Sequence, residues 1–291
     1  GNGKRNIFGF VGHGLRSCDH HYPSHRRGLL HQLHQQQPLL RGKRSYARGN
    51  GGQSTHEKNV LVLEADSRIG VEVVKAFLES DTHWNVTATV SSGDKKKHKY
   101  ARRLGALQVN TCEQNYQAVA TCRPDVVVSC ITTAKETVHG RNQLFVDAAL
   151  ELGASKFVFM SSIGAGESAC ALPGPAKETM KPVMSDIYLA EQYLESKSNS
   201  IDHLILRCAP LNDLSDDSEV GKPILTESPV AYGWITPAGA AELVLRCLST
   251  SDDTILGKTY SAVDTNTVFV TNPFLRPLES HESMPFEPLP L

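Results

Sequence analysis

The chain has 291 residues, 40% of them hydrophobic and 21% charged, with a formal net charge of −1. That size and balance suit one globular domain with extensions, give no support for a nucleic-acid partner, and leave no apolar run of the roughly 18 residues a transmembrane helix needs. Its seven cysteines (Cys18, Cys112, Cys122, Cys130, Cys170, Cys208, Cys247) form no C-x-x-C pair and several fall in apolar patterns, as expected of buried thiols in a reducing compartment.

Residues 1–57 stand apart. They carry Lys4, Arg5, Arg16, Arg26, Arg27, Arg41, Lys43, Arg44 and Arg48, with Asp19 the sole acid before Glu57. Basic, acid-poor composition of this kind is what organelle import machinery reads, and Arg44-Ser45-Tyr46-Ala47 resembles a mitochondrial processing site. The expected localisation is mitochondrial, with a plastid as the alternative. A basic arm retained on the mature protein to bind an acidic partner is the other reading.

From Asn59 onward, strand and helix patterns alternate. Val60 to Leu63 is a short apolar strand, and Ile69 to Leu78 has helical spacing at Val73, Val74 and Phe77. Asn85 to Val90 predicts the second strand, Lys99 to Leu104 a helix, Leu107 to Val109 the third strand and Asn115 to Cys122 a short helix. Asp125 to Ile131 is a continuous apolar run of the kind a strand buried on both faces requires. A helix over Gly140 to Leu152 and the strand Lys156 to Met160 follow. After a Gly, Ala and Pro-rich excursion to Pro182 come a helix from Met184 to Ser196, strands His203 to Arg207 and Pro223 to Thr226, a helix from Pro237 to Leu248 and a last strand, Thr259 to Val263. Such alternation predicts an α/β fold, a doubly wound, mainly parallel sheet with a small C-terminal lobe, over residues 58–264. Residues 265–291, rich in proline and without periodicity, predict an extended tail, disordered or laid across a partner. No internal repeat is present.

The turn after the first strand carries the chemistry. Asn59 to Gly70 runs from strand through turn into helix, where a dinucleotide fingerprint reads G-x-x-G-x-x-G. Here Glu64 and Ser67 replace two glycines and Gly70 alone remains. A Cβ at 67 crowds a pyrophosphate, and a carboxylate at 64 sets negative charge near an anion at a helix N-terminus, so weak or absent nucleotide binding is expected. The twelve histidines crowd toward the N-terminus without the i, i+4 pairing of a zinc site, and Ser161-Ser162 is not a G-x-S-x-G elbow, so neither metal nor serine-hydrolase chemistry is expected.

Taken together, Val60 to Gly70, Val138 to Ala149, Phe157 to Glu167, Ala190 to Leu194, His203 to Pro210 and Gly257 to Val263 resemble the atypical, NmrA-like, NAD(P)H-binding short-chain dehydrogenases. The Ser161-Ser162-Ile163-Gly164-Ala165-Gly166-Glu167 stretch is the most specific element, and the resemblance implies a Rossmann core with a substrate lobe. Departures are as telling. Ser91 stands where NADPH-preferring members carry Arg, with Lys95, Lys96 and Lys97 close behind, and no acid follows the predicted third strand around Asn110 to Cys112. The superfamily's catalytic Ser falls at Ser161 or Ser162, but its Tyr and Lys positions are Val183 and Ile187. Tyr193 and Lys197 have the right spacing one to two turns too late, and Tyr188 is followed at that offset by Gln192.

Retained core patterning beside altered turn and catalytic positions predicts a non-catalytic accessory subunit of a large mitochondrial assembly, with respiratory complex I the candidate by resemblance. Its partners would be subunits of that complex, with no direct nucleic-acid contact, and its cofactor none or a vestigially bound NADPH. The alternative is an NADPH-dependent oxidoreductase that holds cofactor through contacts at Ile69, Gly70, Ser91, Cys130 and Ser161. A redox-sensing or RNA-associated module is the third reading.

Overall fold

In the computed structural model, residues 58–91, 98–132, 137–212, 221–250, 252–266, 269–270 and 289 are described. The basic N-terminal segment, Lys95 to Lys97 and most of the proline-rich tail lie outside them.

The strands are β1 (Lys58–Leu63), β2 (Trp84–Val90), β3 (Asn110–Glu113), β4 (Val126–Ser129), β5 (Lys156–Ser162), β6 (Asp202–Cys208), β7 (Pro223–Thr226), β8 (Ala231–Tyr232), β9 (Lys258–Asp264) and β10 (Phe269–Val270). The helices are α1 (Arg68–Glu79), α2 (His98–Ala106), α3 (Tyr116–Cys122), α4 (Val138–Glu151), α5 (Gly174–Glu195) and α6 (Pro237–Ser249). Eight strands form one sheet in the order β3-β2-β1-β4-β5-β6-β9-β7, parallel except for β7, which runs antiparallel to β9; β8 and β10 pair separately. This is the Rossmann-like α/β architecture that the alternation of patterns predicts.

Burial on both faces explains the unbroken apolar runs. In β1, Val60 and Val62 join the core under α1 and α6, whereas Leu61 and Leu63 join the core under α4 and α5, and all four are fully buried. Burying one such side chain contributes about 1.5–3 kcal/mol. Thr137 and Thr236 cap α4 and α6 through their hydroxyls, and α6 opens with Pro237 at its first turn, where a missing N–H costs nothing.

Two elements differ from the sequence expectation. The third strand is Asn110–Glu113, three residues later than Leu107 to Val109, because α2 ends in a turn in which Gln108 adopts a left-handed backbone (φ 54°). Helix α5 begins at Gly174 rather than Met184: Pro175 sits in its first turn, and Pro182 lies on the exposed side, where the lost backbone donor is tolerable. Beyond Asp264, Phe269 and Val270 pair with Tyr232 and Ala231, and the Leu289 N–H donates to the Leu225 carbonyl. Among the described residues, no helix is long and apolar enough to cross a membrane.

Candidate functional site

The crevice of interest lies at the carboxyl ends of the parallel strands, where open α/β sheets bind ligands. It begins at the β1–α1 turn. Glu64, at the first glycine position, takes the backbone a glycine favours (φ 53°), so the turn keeps its shape at a cost of roughly 1–2 kcal/mol. Its carboxylate points inward, with the side chain 1% exposed, and pairs with Arg141 Nη1 of α4 at 2.8 Å. The negative charge at position 64 is therefore met by a cation. Ser67 turns its Oγ back to accept from Gly70 N at 3.0 Å, capping α1 from an extended backbone that needs no glycine. Gly70 is indispensable sterically: a Cβ there would lie 2.3 Å from the Glu64 carbonyl oxygen and 2.7 Å from the Ala65 Cα.

The neighbouring strand ends close on this turn. Ala65 N donates to the Thr89 carbonyl, and Asp66, 2% exposed, receives Ser91 N and Ser91 Oγ, each at 3.2 Å. Asp66 thus brings a buried carboxylate to the tip of β2, where the family's Arg would stand. Gln114, just past β3, accepts from Glu64 N at 2.9 Å and Thr89 Oγ at 3.1 Å through Oε1, while its Nε2 is buried and has no partner. Those two donors fix the orientation of the amide.

At the other end of the crevice, Ser161 on β5 sits beside Arg207 on β6 in the parallel register. Its hydroxyl donates to Glu191 of α5, which is fully buried and also receives Arg207 Nε at 3.0 Å and Nη2 at 2.7 Å. Arg207, its side chain 4% exposed, reaches on to Glu167 at 2.6 Å. Burial pushes the Glu191 carboxyl up, with Arg207 opposing; the hydrogen bond from Arg207 draws Glu167 down. Burial alone would lower the Arg207 guanidinium, but the bonds and charges of both glutamates outweigh it and raise it. The superfamily's serine position is therefore tied into a buried ion-pair cluster.

The remaining sequence candidates divide. Ile69 and Cys130 are at the crevice, but their side chains belong to the core, so a ligand would meet their backbones. Burial, with Glu64 and Cys208 adding to it, drives the Cys130 thiol well above its ordinary range. Val183 is exposed and Ile187 is core. Tyr193 donates its hydroxyl to Asp147 of α4, with Lys197 Nζ 4.9 Å from its ring centre, so this pair is spent where α4 meets α5. Ser162 Oγ turns to the Ile163 carbonyl, and Tyr188 packs against Gly166.

Asp66, Gln114, Arg141, Glu191 and Arg207 are the residues that sequence reasoning missed. The acid missing around Asn110 to Cys112 reflects the misplaced strand: with β3 ending at Glu113, the residue that enters the crevice is Gln114. Elsewhere, a pocket of about 240 Å³ lined by Lys58, Trp84, Asp125, Val126, Ser155, Lys156 and Leu248 opens at the amino ends of the strands, the edge opposite the crevice. No group of residues suited to hold a metal ion occurs among the described residues.

Residues 65–251 match a family model described as NAD(P)H-binding. Comparison with curated proteins finds no match. Among solved structures, ChuY, an anaerobillin reductase from Escherichia coli O157:H7, is 18% identical with a TM-score of 0.57, over 71% of this chain and 97% of that one. A wide-type short-chain dehydrogenase/reductase from Veillonella parvula in complex with NADP is 14% identical with a TM-score of 0.57, over 75% and 99%. A Rossmann-fold NAD(P)-binding family protein from Shigella flexneri is 18% identical with a TM-score of 0.54, over 75% and 100%. At such identities the likeness is one of fold.

Proposed function

The chain belongs to the NAD(P)H-binding family, and from that premise we propose that it is a reductase-type oxidoreductase that takes a nicotinamide dinucleotide across the carboxyl ends of β1, β2, β4 and β5. The observation that carries this reading is Gln114 at the adenosine end, whose Oε1 is taken by Glu64 N and Thr89 Oγ while its buried Nε2 has no partner in the protein. The turn fits the group as well: Gly70 keeps α1 against β1, and Arg141 neutralises Glu64. When bound, the cofactor would supply a hydride. Gln114 and Asp66 would bind the adenosine half, the α1 N-terminus would face the pyrophosphate, and the backbone at Cys130 and Ser161 would border the nicotinamide end. With Ser161 held by Glu191 and Val183 and Ile187 in place of Tyr and Lys, the family's proton shuttle is absent at its usual positions.

The test is calorimetric titration of the purified chain with NADH and NADPH. Micromolar affinity for either supports the reading; failure of both to bind at millimolar concentration defeats it. Glu64→Gly with Ser67→Gly then reports whether those positions limit affinity: tighter binding in the double variant means that they do, and unchanged binding means that the Arg141 pair and the Ser67 cap already accommodate the nucleotide.

The lost shuttle also favours a second reading: a non-catalytic accessory subunit of a large mitochondrial assembly, respiratory complex I being the candidate, with any dinucleotide retained structurally. Leu144 on α4 and Met180, Val183 and Leu189 on α5 are large apolar side chains left exposed, as a partner-facing surface would be. Co-migration of the protein with respiratory subunits at megadalton size on a native gradient of gently solubilised mitochondria supports this reading, and migration as a free monomer or dimer removes it.

A further inference from the structure

We infer that Asp66 makes the adenosine end of the crevice selective for a dinucleotide with a free ribose 2′-hydroxyl, NAD(H), over the 2′-phosphorylated form. The inference rests on the dinucleotide-binding reading above and reverses the NADPH preference that the family resemblance suggests.

In this fold the adenosine ribose sits at the tip of β2, and an acidic residue there takes the 2′-hydroxyl whereas an arginine takes the 2′-phosphate. The usual acid comes from the end of β2 itself. Here that end is Val90 followed by Ser91, and the acid arrives from the β1–α1 turn instead: Asp66 Oδ1 and Oδ2 each accept from Ser91 N at 3.2 Å, and Oδ2 accepts from Ser91 Oγ at 3.2 Å. The carboxylate is thereby fixed against the strand tip. It offers about four lone-pair positions, so it retains capacity for a hydroxyl donor. A phosphate in the same place has no proton to give and sets about 1.5–2 negative charges beside a buried carboxylate.

Among the described residues, three arginines near the turn have partners of their own, and Lys95 to Lys97 lie outside them. Arg141 pairs with Glu64, Arg103 pairs with Glu72, and Arg68 Nη1 donates to the Leu211 carbonyl at 3.0 Å. Charge repulsion across a few ångströms in a partly buried site is worth about tenfold or more in affinity against the phosphorylated form.

The experiment is a pair of titrations on the full chain, NADH against NADPH, followed by calorimetry at 0.05 M and about 0.15 M salt. The expected result is a dissociation constant for NADH at least about tenfold below that for NADPH, with the gap narrowing at higher salt. Asp66→Ser with Ser91→Arg should shift the ranking toward NADPH, and circular dichroism and a melting curve establish that the variant is folded. Ser91→Arg alone serves if Asp66 proves necessary for folding, and should narrow the gap. Equal or tighter binding of NADPH by the parent chain overturns the inference while leaving dinucleotide binding intact. Failure of both nucleotides to bind overturns the dinucleotide reading itself, and this inference with it.

Discussion

Replacing Arg207 by Met should expose the electrostatic logic of the nicotinamide end. The substitution keeps most of the side-chain volume and removes the cation from Glu191, which is fully buried and holds Arg207 through Nε at 3.0 Å and Nη2 at 2.7 Å. What remains is a carboxylate away from water with only the Ser161 hydroxyl as a donor, a situation that costs about 3–5 kcal/mol. For a domain of this size each kcal/mol shifts the melting temperature by about 2–4 °C, so a fall on the order of 10 °C is expected at pH 7.5. The pH dependence has a definite sign. Burial already raises the Glu191 carboxyl above its ordinary value with Arg207 opposing, so loss of Arg207 raises it further. A group whose folded value is raised supports the fold below its ordinary value and withdraws that support as pH rises through the folded value. The variant's deficit should therefore shrink on acidification toward pH 5, and adding Glu191→Leu should recover most of the stability at pH 7.5. Glu167→Gln is the control: that side chain is 59% exposed, and its loss should cost no more than about 1 kcal/mol. Melting curves at both pH values decide the matter, and a deficit equal at pH 5 and pH 7.5, or one that Glu191→Leu fails to repair, refutes the account.

Two further substitutions compare the turn with an open helix position. Gly70→Ala should destabilise by at least about 2 kcal/mol and abolish dinucleotide binding, because its Cβ meets backbone atoms of Glu64 and Ala65. Gly105→Ala, in a helix with open space around it, should gain about 0.5–1 kcal/mol; equal stability of the two variants in urea denaturation would sink the steric argument. Alkylation of the native protein should reach exposed Cys170 well before Cys208 and Cys247, whose thiols burial pushes up to about 12. Mass spectrometry of labelled peptides checks this, and early labelling of Cys208 or Cys247 contradicts it.

The sheet was legible because continuous apolar runs such as Val126 to Ser129 admit few other environments, and Gly70 was legible from its place in the turn. The site was not. A three-residue slip in β3 hid Gln114, because Leu107 and Val109 look more strand-like than Asn110, Thr111 and Glu113, which occupy the edge strand and are exposed. The Glu191–Arg207 pair joins a helix to a strand sixteen residues on, which local periodicity cannot report. A signal did exist: Glu191 interrupts the buried stripe Ile187, Ala190, Leu194, and Arg207 interrupts the apolar run Leu204 to Cys208. Two opposite charges set into two core patterns of a mostly parallel sheet require each other.

The turn invites the same reasoning one step further. Read as sequence, Glu64 and Ser67 look like erosion of a cofactor loop; in the structure each has a partner, in Arg141 and the α1 N-terminus, and Asp66 between them is held by Ser91. Pairing by itself does not speak for a ligand, since a buried carboxylate left alone costs several kcal/mol whether or not anything binds. The Gln114 amide is different. Its oxygen is fully used, and its buried Nε2 forgoes a hydrogen bond at a cost of about 1–3 kcal/mol in the free protein. A leucine or methionine of similar volume would escape that penalty but would leave Glu64 N with only the Thr89 hydroxyl, at 3.2 Å, as acceptor, so the amide serves the turn through its oxygen while its Nε2 has no partner in the protein. An acceptor on a bound adenosine removes the penalty, which is why binding should weaken in Gln114→Glu, where that donor is replaced by a second carboxylate oxygen.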